Sequence, residues 1–278
     1  MNIKAVLCDL DGTLIDYYGV YGKETPHLIQ RLQEKNISFA LATGNGYFGV
    51  AERIVQELAL SPLHIVHGGG MIINWKTKET PLFKPISKKS TKLIVAYFNS
   101  AQCAFSLETR TGPYMTHVVQ TSAYPQEIIK YFSVKTIPSE VLKILVLASV
   151  NHMTETDIDS HIKNISQLCM DVELMKFAYR AHFGLDITSK NATKHTAVLE
   201  YARILGISPS EIVAIGDGHN DHPLFTACGY RIAMDNAPDA LKAIANKIVP
   251  RSEDDGMRVA LEHVLTLSNG TMGKWKIT

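Results

Sequence analysis

Residues 3–14 read Ile-Lys-Ala-Val-Leu-Cys-Asp-Leu-Asp-Gly-Thr-Leu, an apolar run that ends in two carboxylates, Asp9 and Asp11. Short apolar runs of this kind are typical of strands buried on both faces of a parallel sheet. The carboxyl ends of such strands border the crevice where open α/β sheets bind ligands. Two carboxylates there repel one another unless a cation or a proton lies between them. The stretch therefore predicts a parallel sheet with a Mg²⁺ site at its edge, since Mg²⁺ prefers carboxylates, waters and phosphate oxygens. An ordinary turn rich in Asp and Gly is the alternative.

Strand-like and helix-like segments alternate at both ends of the chain, which predicts right-handed crossovers and a Rossmann-like, doubly wound parallel sheet. Two prolines within residues 81–85 indicate a linker between this pattern and a different one. The middle of the chain has closely spaced strand pairs and a short helix near 125–131, as in an antiparallel α+β unit. We therefore predict an α/β core made of residues 1–82 and 190–278, with an inserted α+β domain of residues 83–189.

Composition argues against several classes of partner. The chain carries 28 basic and 27 acidic residues, so no nucleic-acid or membrane partner is expected. No apolar run approaches the roughly 20 residues of a membrane span, and from residues 1–8 we expect no secretion signal. Four widely spaced cysteines predict reduced thiols in a cytoplasmic protein rather than a disulfide framework. They are Cys8, Cys103, Cys169 and Cys228.

Three more polar segments follow predicted strands or open a predicted helix. They are Thr43-Gly44-Asn45, Lys194, and Gly216-Asp217-Gly218-His219-Asn220-Asp221. In this order, and with an insertion between the second and third motifs, the four segments resemble those of the haloacid dehalogenase superfamily. The closest resemblance is to its Cof-like branch, in which a type IIB α+β cap is inserted at that place. Residues 229–238 also resemble the stretch that follows the fourth motif in this branch.

The resemblance implies a Mg²⁺-dependent phosphatase that hydrolyses a small phosphorylated metabolite, such as a sugar phosphate or a cofactor phosphate. Asp9 is expected to be the nucleophile and to form an aspartyl-phosphate. Asp11 is expected to protonate the leaving alcohol and then to activate water. Mg²⁺ is expected to bind the Asp9 carboxylate, the Asp11 backbone carbonyl and Asp217.

The resemblance also assigns residues to the phosphate oxygens. Thr43 is expected to donate its hydroxyl, Gly44 its backbone N–H, Lys194 its ammonium group and Asn220 its amide. Asp221 is expected to hold a metal-bound water. Each assignment has an ordinary alternative: Thr43-Gly44 also fits a plain turn, and Asn220 could instead orient Asp221.

Three positions depart from the family pattern or compete with it. Asn45 stands where the family often has Arg, which replaces a charged fork with a neutral amide. Lys190 is an alternative to Lys194, because the register of the helix is open at the sequence level. His67 precedes three glycines where the family often has Asn-Gly, and it could contact substrate or cap the preceding strand. His195, His219 and His222 do not have the spacing of a zinc site.

Two other functions remain compatible with the sequence. A phosphomutase would share the core and the cap but would protect its phosphorylated intermediate from water. A non-catalytic sensor would bind a phosphorylated metabolite without turnover, although it has no need of the acid/base Asp11. In each case the expected partner is a small phosphorylated molecule, and the chain is expected to be a monomer or a small homo-oligomer.

Overall fold

The computed structural model describes residues 1–116, 128–132, 136–179 and 182–269. The strands in these residues are β1 (Ala5–Cys8), β2 (Ser38–Leu41), β3 (Leu63–Val66), β4 (Met71–Asn74), β5 (Leu82–Phe83), β6 (Ser106–Thr109), β7 (Gly112–Met115), β8 (Lys130–Tyr131), β9 (Lys143–Leu147), β10 (Val172–Tyr179), β11 (His182–Ser189), β12 (Ile212–Gly216), β13 (Tyr230–Met234) and β14 (Lys247–Val249). The α-helices are α1 (Thr25–Glu34), α2 (Val50–Glu57), α3 (Lys88–Ser100), α4 (Ala148–Asn151), α5 (Glu155–Leu168), α6 (Lys194–Leu205), α7 (His222–Ala227), α8 (Asp239–Lys242) and α9 (Gly256–Ser268).

The core is a five-stranded parallel sheet in the order β14-β13-β12-β1-β2. Both faces of the central strand β1 are covered, which explains its uninterrupted apolar sequence. Val6 and Cys8 pack with α1, α2 and α9, whereas Ala5 and Leu7 pack with α6, α7 and α8. The chain therefore has the predicted doubly wound α/β architecture, with helices in layers on both sides of the sheet.

A small antiparallel sheet, β3-β4-β5, extends from the carboxyl end of β2. A parallel bridge between Ala42 and Ile65 joins the end of β2 to β3. The described residues between β5 and α6 form a second layered unit, which we call the cap. Its sheet has the order β10-β11-β9-β6-β7-β8 and is antiparallel apart from the β7–β8 pair.

The two faces of the cap sheet differ in chemistry. Leu107, Ile144 and Leu185 belong to an apolar cluster that includes residues of α3 and α5. Because side chains alternate between the faces of a strand, the neighbouring residues Glu108, Lys143 and Asp186 lie on the opposite face. A polar group of side chains therefore occupies the face opposite α3 and α5.

One predicted element differs at its end. The helix expected near 125–131 does not extend to Lys130–Tyr131, which form a strand that pairs in parallel with Tyr114 and Met115 of β7, whereas Ile128 has a 3₁₀-helical conformation. The part of this prediction that falls on residues 125–127 lies outside the described residues. Non-local pairing with β7 decides the backbone conformation here, because local propensity is only a weak preference.

All four cysteines are buried free thiols. Among the helices of the described residues, none combines the length and the apolarity that a membrane crossing requires.

Candidate active site

The candidate site lies at the carboxyl ends of the two central strands of the core. β1 pairs with β12 so that Cys8 is opposite Ile215, and the backbone N–H of Asp9 donates to the Ile215 carbonyl at 2.9 Å. The residues that follow each strand are therefore neighbours in space, although they are some 200 positions apart in sequence. This pairing brings the first and fourth sequence motifs together.

Three carboxylates form a compact group at this edge. Asp9, Asp217 and Asp221 each offer one oxygen, and these oxygens lie within 4.8 Å of one another. Asp221 is completely buried, and its Oδ2 accepts the backbone N–H groups of Asp217, at 3.0 Å, and Gly218, at 2.9 Å. The fourth motif thus closes on itself as a turn that holds one carboxylate in a fixed orientation.

Lys194 is the positive charge within this group. It is the first residue of α6, whose N-cap, Thr193, accepts the backbone N–H of Thr196. Its ammonium group donates to Asp9 at 2.7 Å and to Asp221 at 2.6 Å, and only 2% of the residue is exposed. Lys190, the competing candidate, is exposed. The register of α6 therefore places Lys194 against the carboxylates.

Close backbone packing brings the loop after β3 to the start of α6. Gly69 has a φ of +107°, and a Cβ at this position would overlap the backbone carbonyl of Thr193. A side chain is therefore excluded at this contact, which gives one glycine of the unusual 68–70 run a structural role.

The electrostatic balance of the group is negative, since three carboxylates share one ammonium group. Burial, and then the charge of Asp221, raises the pKa of Asp9 well above its usual range. The same two causes raise the pKa of Asp217 to about 7. Burial alone would lower the pKa of Lys194, but Asp221 and Asp9 outweigh it, and the net shift is upward. The ionised forms of Asp9 and Asp217 are thus disfavoured unless a further positive charge is present.

The donor set fits a divalent cation that prefers hard oxygen ligands. Asp9, Asp217 and Asp221 supply carboxylate oxygens, and a cation among them would offset their repulsion. Asn236 donates from Nδ2 to Asp217 at 2.7 Å, while its Oδ1 is buried and makes no hydrogen bond within the described residues. An ordered water at this position would satisfy that oxygen. The three histidines considered as zinc ligands are not part of the group.

Two residues that position Asp217 were not singled out from the sequence. Thr13 donates its hydroxyl to Asp217 Oδ1 at 2.8 Å, and Asn236 binds the other carboxylate oxygen. Thr13 lies in the first motif and Asn236 in the 229–238 stretch, so both were within recognised segments. Gly12 contacts the same carboxylate closely: its φ is +78°, and a Cβ there would collide with Asp217.

Asp11 has a separate environment from the three clustered carboxylates. Its Oδ2 accepts a hydrogen bond from Asn45 Nδ2 at 2.6 Å. Asn45, at the position where Arg is common in the resembling family, therefore contacts the expected acid/base group. Where the family often has the long, charged side chain of Arg, this chain places a short, neutral amide against Asp11.

The second motif lies at the end of the neighbouring strand. β2 pairs with β1, and the Ala42 N–H donates to the Cys8 carbonyl at 2.8 Å, so Thr43 and Gly44 follow at the same edge. Thr43 is buried, and its Oγ1 accepts the Asn45 N–H at 3.1 Å, which leaves the hydroxyl proton available for donation. Asn220 lies close to Gly44. Its Nδ2 is 4.0 Å from the point that a Cβ on that glycine would occupy.

His67 contacts a residue of the cap, a partner that the sequence did not indicate. It is completely buried, and its Nδ1 lies 3.2 Å from Glu108 Oε2, which belongs to cap strand β6. The sequence alone contained no signal for this contact, because the two residues belong to different parts of the fold.

Comparisons with known proteins identify the family and the fold of the chain. A family model for haloacid dehalogenase-like hydrolases matches residues 6–261. The chain is 25% identical over 299 residues to 5-amino-6-(5-phospho-D-ribitylamino)uracil phosphatase YwtE of Bacillus subtilis, covering 95% of this chain and 99% of that protein. A solved haloacid dehalogenase-like hydrolase from B. subtilis superimposes with a TM-score of 0.80 at 21% identity, covering 94% and 100% of the two chains. The subclass IIB sugar phosphatase BT4131 gives a TM-score of 0.77 at 20% identity, covering 94% and 98%.

Proposed function

This chain belongs to the haloacid dehalogenase-like hydrolase family, and on that premise we propose that it is a Mg²⁺-dependent phosphatase of small phosphorylated metabolites. The observation that carries the proposal is the buried Lys194 ammonium, which bridges Asp9 and Asp221 beside Asp217. A nucleophile, a cation-binding group and a fixed positive charge thus share one edge of the sheet. Phosphoryl transfer requires these three components.

In the proposed reaction Asp9 attacks the phosphorus atom and the bond to the leaving alcohol breaks. Asp11 gives its proton to that alcohol, and the product is an aspartyl-phosphate on Asp9. Asp11, now ionised, removes a proton from water, which attacks the same phosphorus atom. Inorganic phosphate leaves and Asp9 is restored. Asn45 holds the Asp11 carboxyl group in place through its 2.6 Å contact.

The phosphate oxygens are bound by fixed donors in this proposal. Thr43 supplies a hydroxyl, Gly44 a backbone N–H, Lys194 an ammonium group and Asn220 an amide. Such preorganised donors stabilise the charge of the transition state, and the loss of one typically costs on the order of a hundredfold in rate.

Mg²⁺ would be held by Asp9, Asp217 and the Asp11 backbone carbonyl, with Asp221 oriented to hold a metal-bound water. When bound, it neutralises charge on the phosphate and on the carboxylates. Thr13 and Asn236 keep the two Asp217 oxygens in fixed directions.

The cap is proposed to select the substrate. We assign it to residues 83–189 and the phosphatase core to residues 1–82 and 190–278. Relatives named as phosphatases of a ribityl phosphate and of sugars support a small, polar phosphomonoester as the substrate. A cytoplasmic location, and a monomer or small homo-oligomer, stay predictions.

The test is phosphate release from a panel of sugar, polyol and cofactor phosphates, with Mg²⁺ and with EDTA. We expect metal-dependent release from a few related compounds, and its loss in Asp9→Asn, because an amide cannot act as the nucleophile. Asp159→Asn, an exposed cap position, is the control. Full activity in Asp9→Asn would overturn the mechanism. Isomerisation without phosphate release would indicate a phosphomutase, and binding without turnover would indicate a sensor.

A further inference from the structure

A second group of charged side chains lies outside the carboxylate site, where the cap meets the core. We call it the interdomain cluster; it comprises His67, Glu108, Lys143 and Asp186. Lys143 Nζ is 3.4 Å from Glu108 Oε2 and 3.6 Å from Asp186 Oδ1, and Glu108 also contacts His67 at 3.2 Å. Three members come from cap strands β6, β9 and β11, and His67 comes from the core side.

Lys143 also reaches into the second motif. Its ammonium group donates to the backbone carbonyl of Gly44 at 3.0 Å, across 99 positions of sequence. Lys143 is 5% exposed, so this contact is made inside the closed interface. A cap residue thus holds the peptide unit between Gly44 and Asn45.

The held segment carries two proposed functional groups. The Asn45 N–H donates to the Thr43 hydroxyl at 3.1 Å, and Asn45 Nδ2 donates to Asp11 at 2.6 Å. The backbone N–H of His67 donates to the Asn45 carbonyl at 2.8 Å. The interdomain cluster therefore binds residues 43–45 at two successive carbonyls, through Lys143 at Gly44 and through His67 at Asn45.

The charge arrangement is consistent with a retained Lys143 cation. Burial would lower the pKa of Lys143, but Asp186 and Glu108 more than compensate, so the net shift is upward. A buried ammonium group is stable only with such partners and hydrogen bonds. A lysine whose role was confined to the stability of the cap would not need to donate to a carbonyl in the core.

We propose that Lys143 is a positioning residue, which fixes the Thr43–Asn45 segment through the Gly44 carbonyl when the cap is closed. This proposal rests on the proposed phosphatase function. Closure of the cap thereby aligns the phosphate donors and Asp11 for reaction. Because the contact is with the backbone of the second motif, it acts on a step common to every phosphomonoester and not on the choice of leaving group.

The test compares Lys143→Met, Lys143→Arg and the double variant Lys143→Met/Glu108→Gln. The double variant removes the contact with Gly44 and, together with the Lys143 charge, one of the negative charges that this charge balances. Lys84→Met is the matched control, because Lys84 also joins two segments through a backbone carbonyl, that of Asn191 at 2.8 Å, but lies outside the site. Circular dichroism and thermal unfolding establish that each variant is folded.

We expect Lys143→Met and the double variant to lower kcat about ten- to a hundredfold, since a displacement of about 1 Å can have an effect of this size. The fold-change should be similar for all active substrates, with a smaller change in KM. Lys143→Arg should recover part of kcat, and Lys84→Met should resemble the wild type. An unchanged kcat, or a loss confined to one substrate, would overturn the proposal.

A second readout separates this proposal from the phosphatase assignment. Small-angle X-ray scattering of wild type and variants, with Mg²⁺ and inorganic phosphate, reports cap closure without turnover. We expect a larger radius of gyration for Lys143→Met and the double variant than for wild type and Lys84→Met. Equal radii would overturn the proposed closure contact. A wild type that is inactive on the whole panel but differs from Lys143→Met in radius would instead refute only the phosphatase function.

Discussion

Replacement of Lys194 by Met removes the buried cation that contacts two of the three clustered carboxylates. In the native site Asp9 and Asp221 lie 2.7 and 2.6 Å from the ammonium nitrogen. Methionine has a similar length and no charge, so the variant leaves the carboxylates together without compensation. The charge of Lys194 is one of the causes that lower the pKa of Asp217, so its removal should raise that pKa, and proton uptake should offset part of the lost compensation.

The expected loss of stability follows from the burial of this pair. Lys194 is 2% exposed and Asp221 is fully buried, and removal of one partner from such a pair typically costs about 3–5 kcal/mol of unfolding free energy. Mg²⁺ should restore part of this loss by occupying the same group of carboxylates. A ligand present at about 100 times its Kd adds about 2.7 kcal/mol, and the variant should gain more than the wild type because its site is more negative.

Urea unfolding in EDTA and in Mg²⁺ measures both effects. Lys176→Met is the control, because Lys176 also contacts two carboxylates, Glu155 and Asp159, at 3.0 Å, but on the surface of the cap. We expect little change in its unfolding midpoint and no added response to Mg²⁺. The reasoning is refuted if Lys194→Met matches the wild type in EDTA, or if Mg²⁺ stabilises the variant no more than the wild type.

Two further predictions concern cation binding. Because the pKa of Asp217 is raised to about 7, protons should compete with Mg²⁺ below that pH, and the affinity should weaken by up to about tenfold per pH unit. Isothermal titration calorimetry between about pH 5.5 and 8 measures this, and a constant affinity would contradict it. Gly12→Ala should weaken Mg²⁺ binding about 10- to 100-fold, because its Cβ would displace the Asp217 carboxylate. The control is Gly206→Ala, because Gly206 has a similar φ of +65° and no atom lies within 4 Å of the added Cβ. This variant should keep the wild-type Mg²⁺ affinity. An equal loss of Mg²⁺ affinity in the two variants would show that backbone strain alone causes the effect.

The arrangement of the candidate site could be anticipated because it depends on strand ends. Asp9 and Asp217 each follow an apolar strand, and parallel neighbours place their carboxyl ends at one edge. The choice of Lys194 over Lys190 required the exact start of α6. That start is fixed by the hydrogen bonds between Thr193 and Thr196, and such boundaries are uncertain at the sequence level.

Contacts between distant segments could not be anticipated in the same way. Asp217 is oriented by Thr13 across 204 positions, and His67 meets Glu108 across 41. Neither pair has a spacing that reflects a helix or a strand, so no local pattern indicates it. Residues 130–131 are a similar case, since they form a strand only by pairing with β7.

The pairing of β1 with β12 also affects how the chain is made. β1 is synthesised about 200 residues before β12, its neighbour on one side. The intervening cap has its own apolar core. The central sheet cannot be completed until β12 has been synthesised, and contacts so distant in sequence form slowly. A nascent chain that ends before residue 217 has Asp9 but not the two later carboxylates. Binding of the proposed Mg²⁺ therefore requires that the fourth motif has been synthesised, and it cannot guide folding before that point.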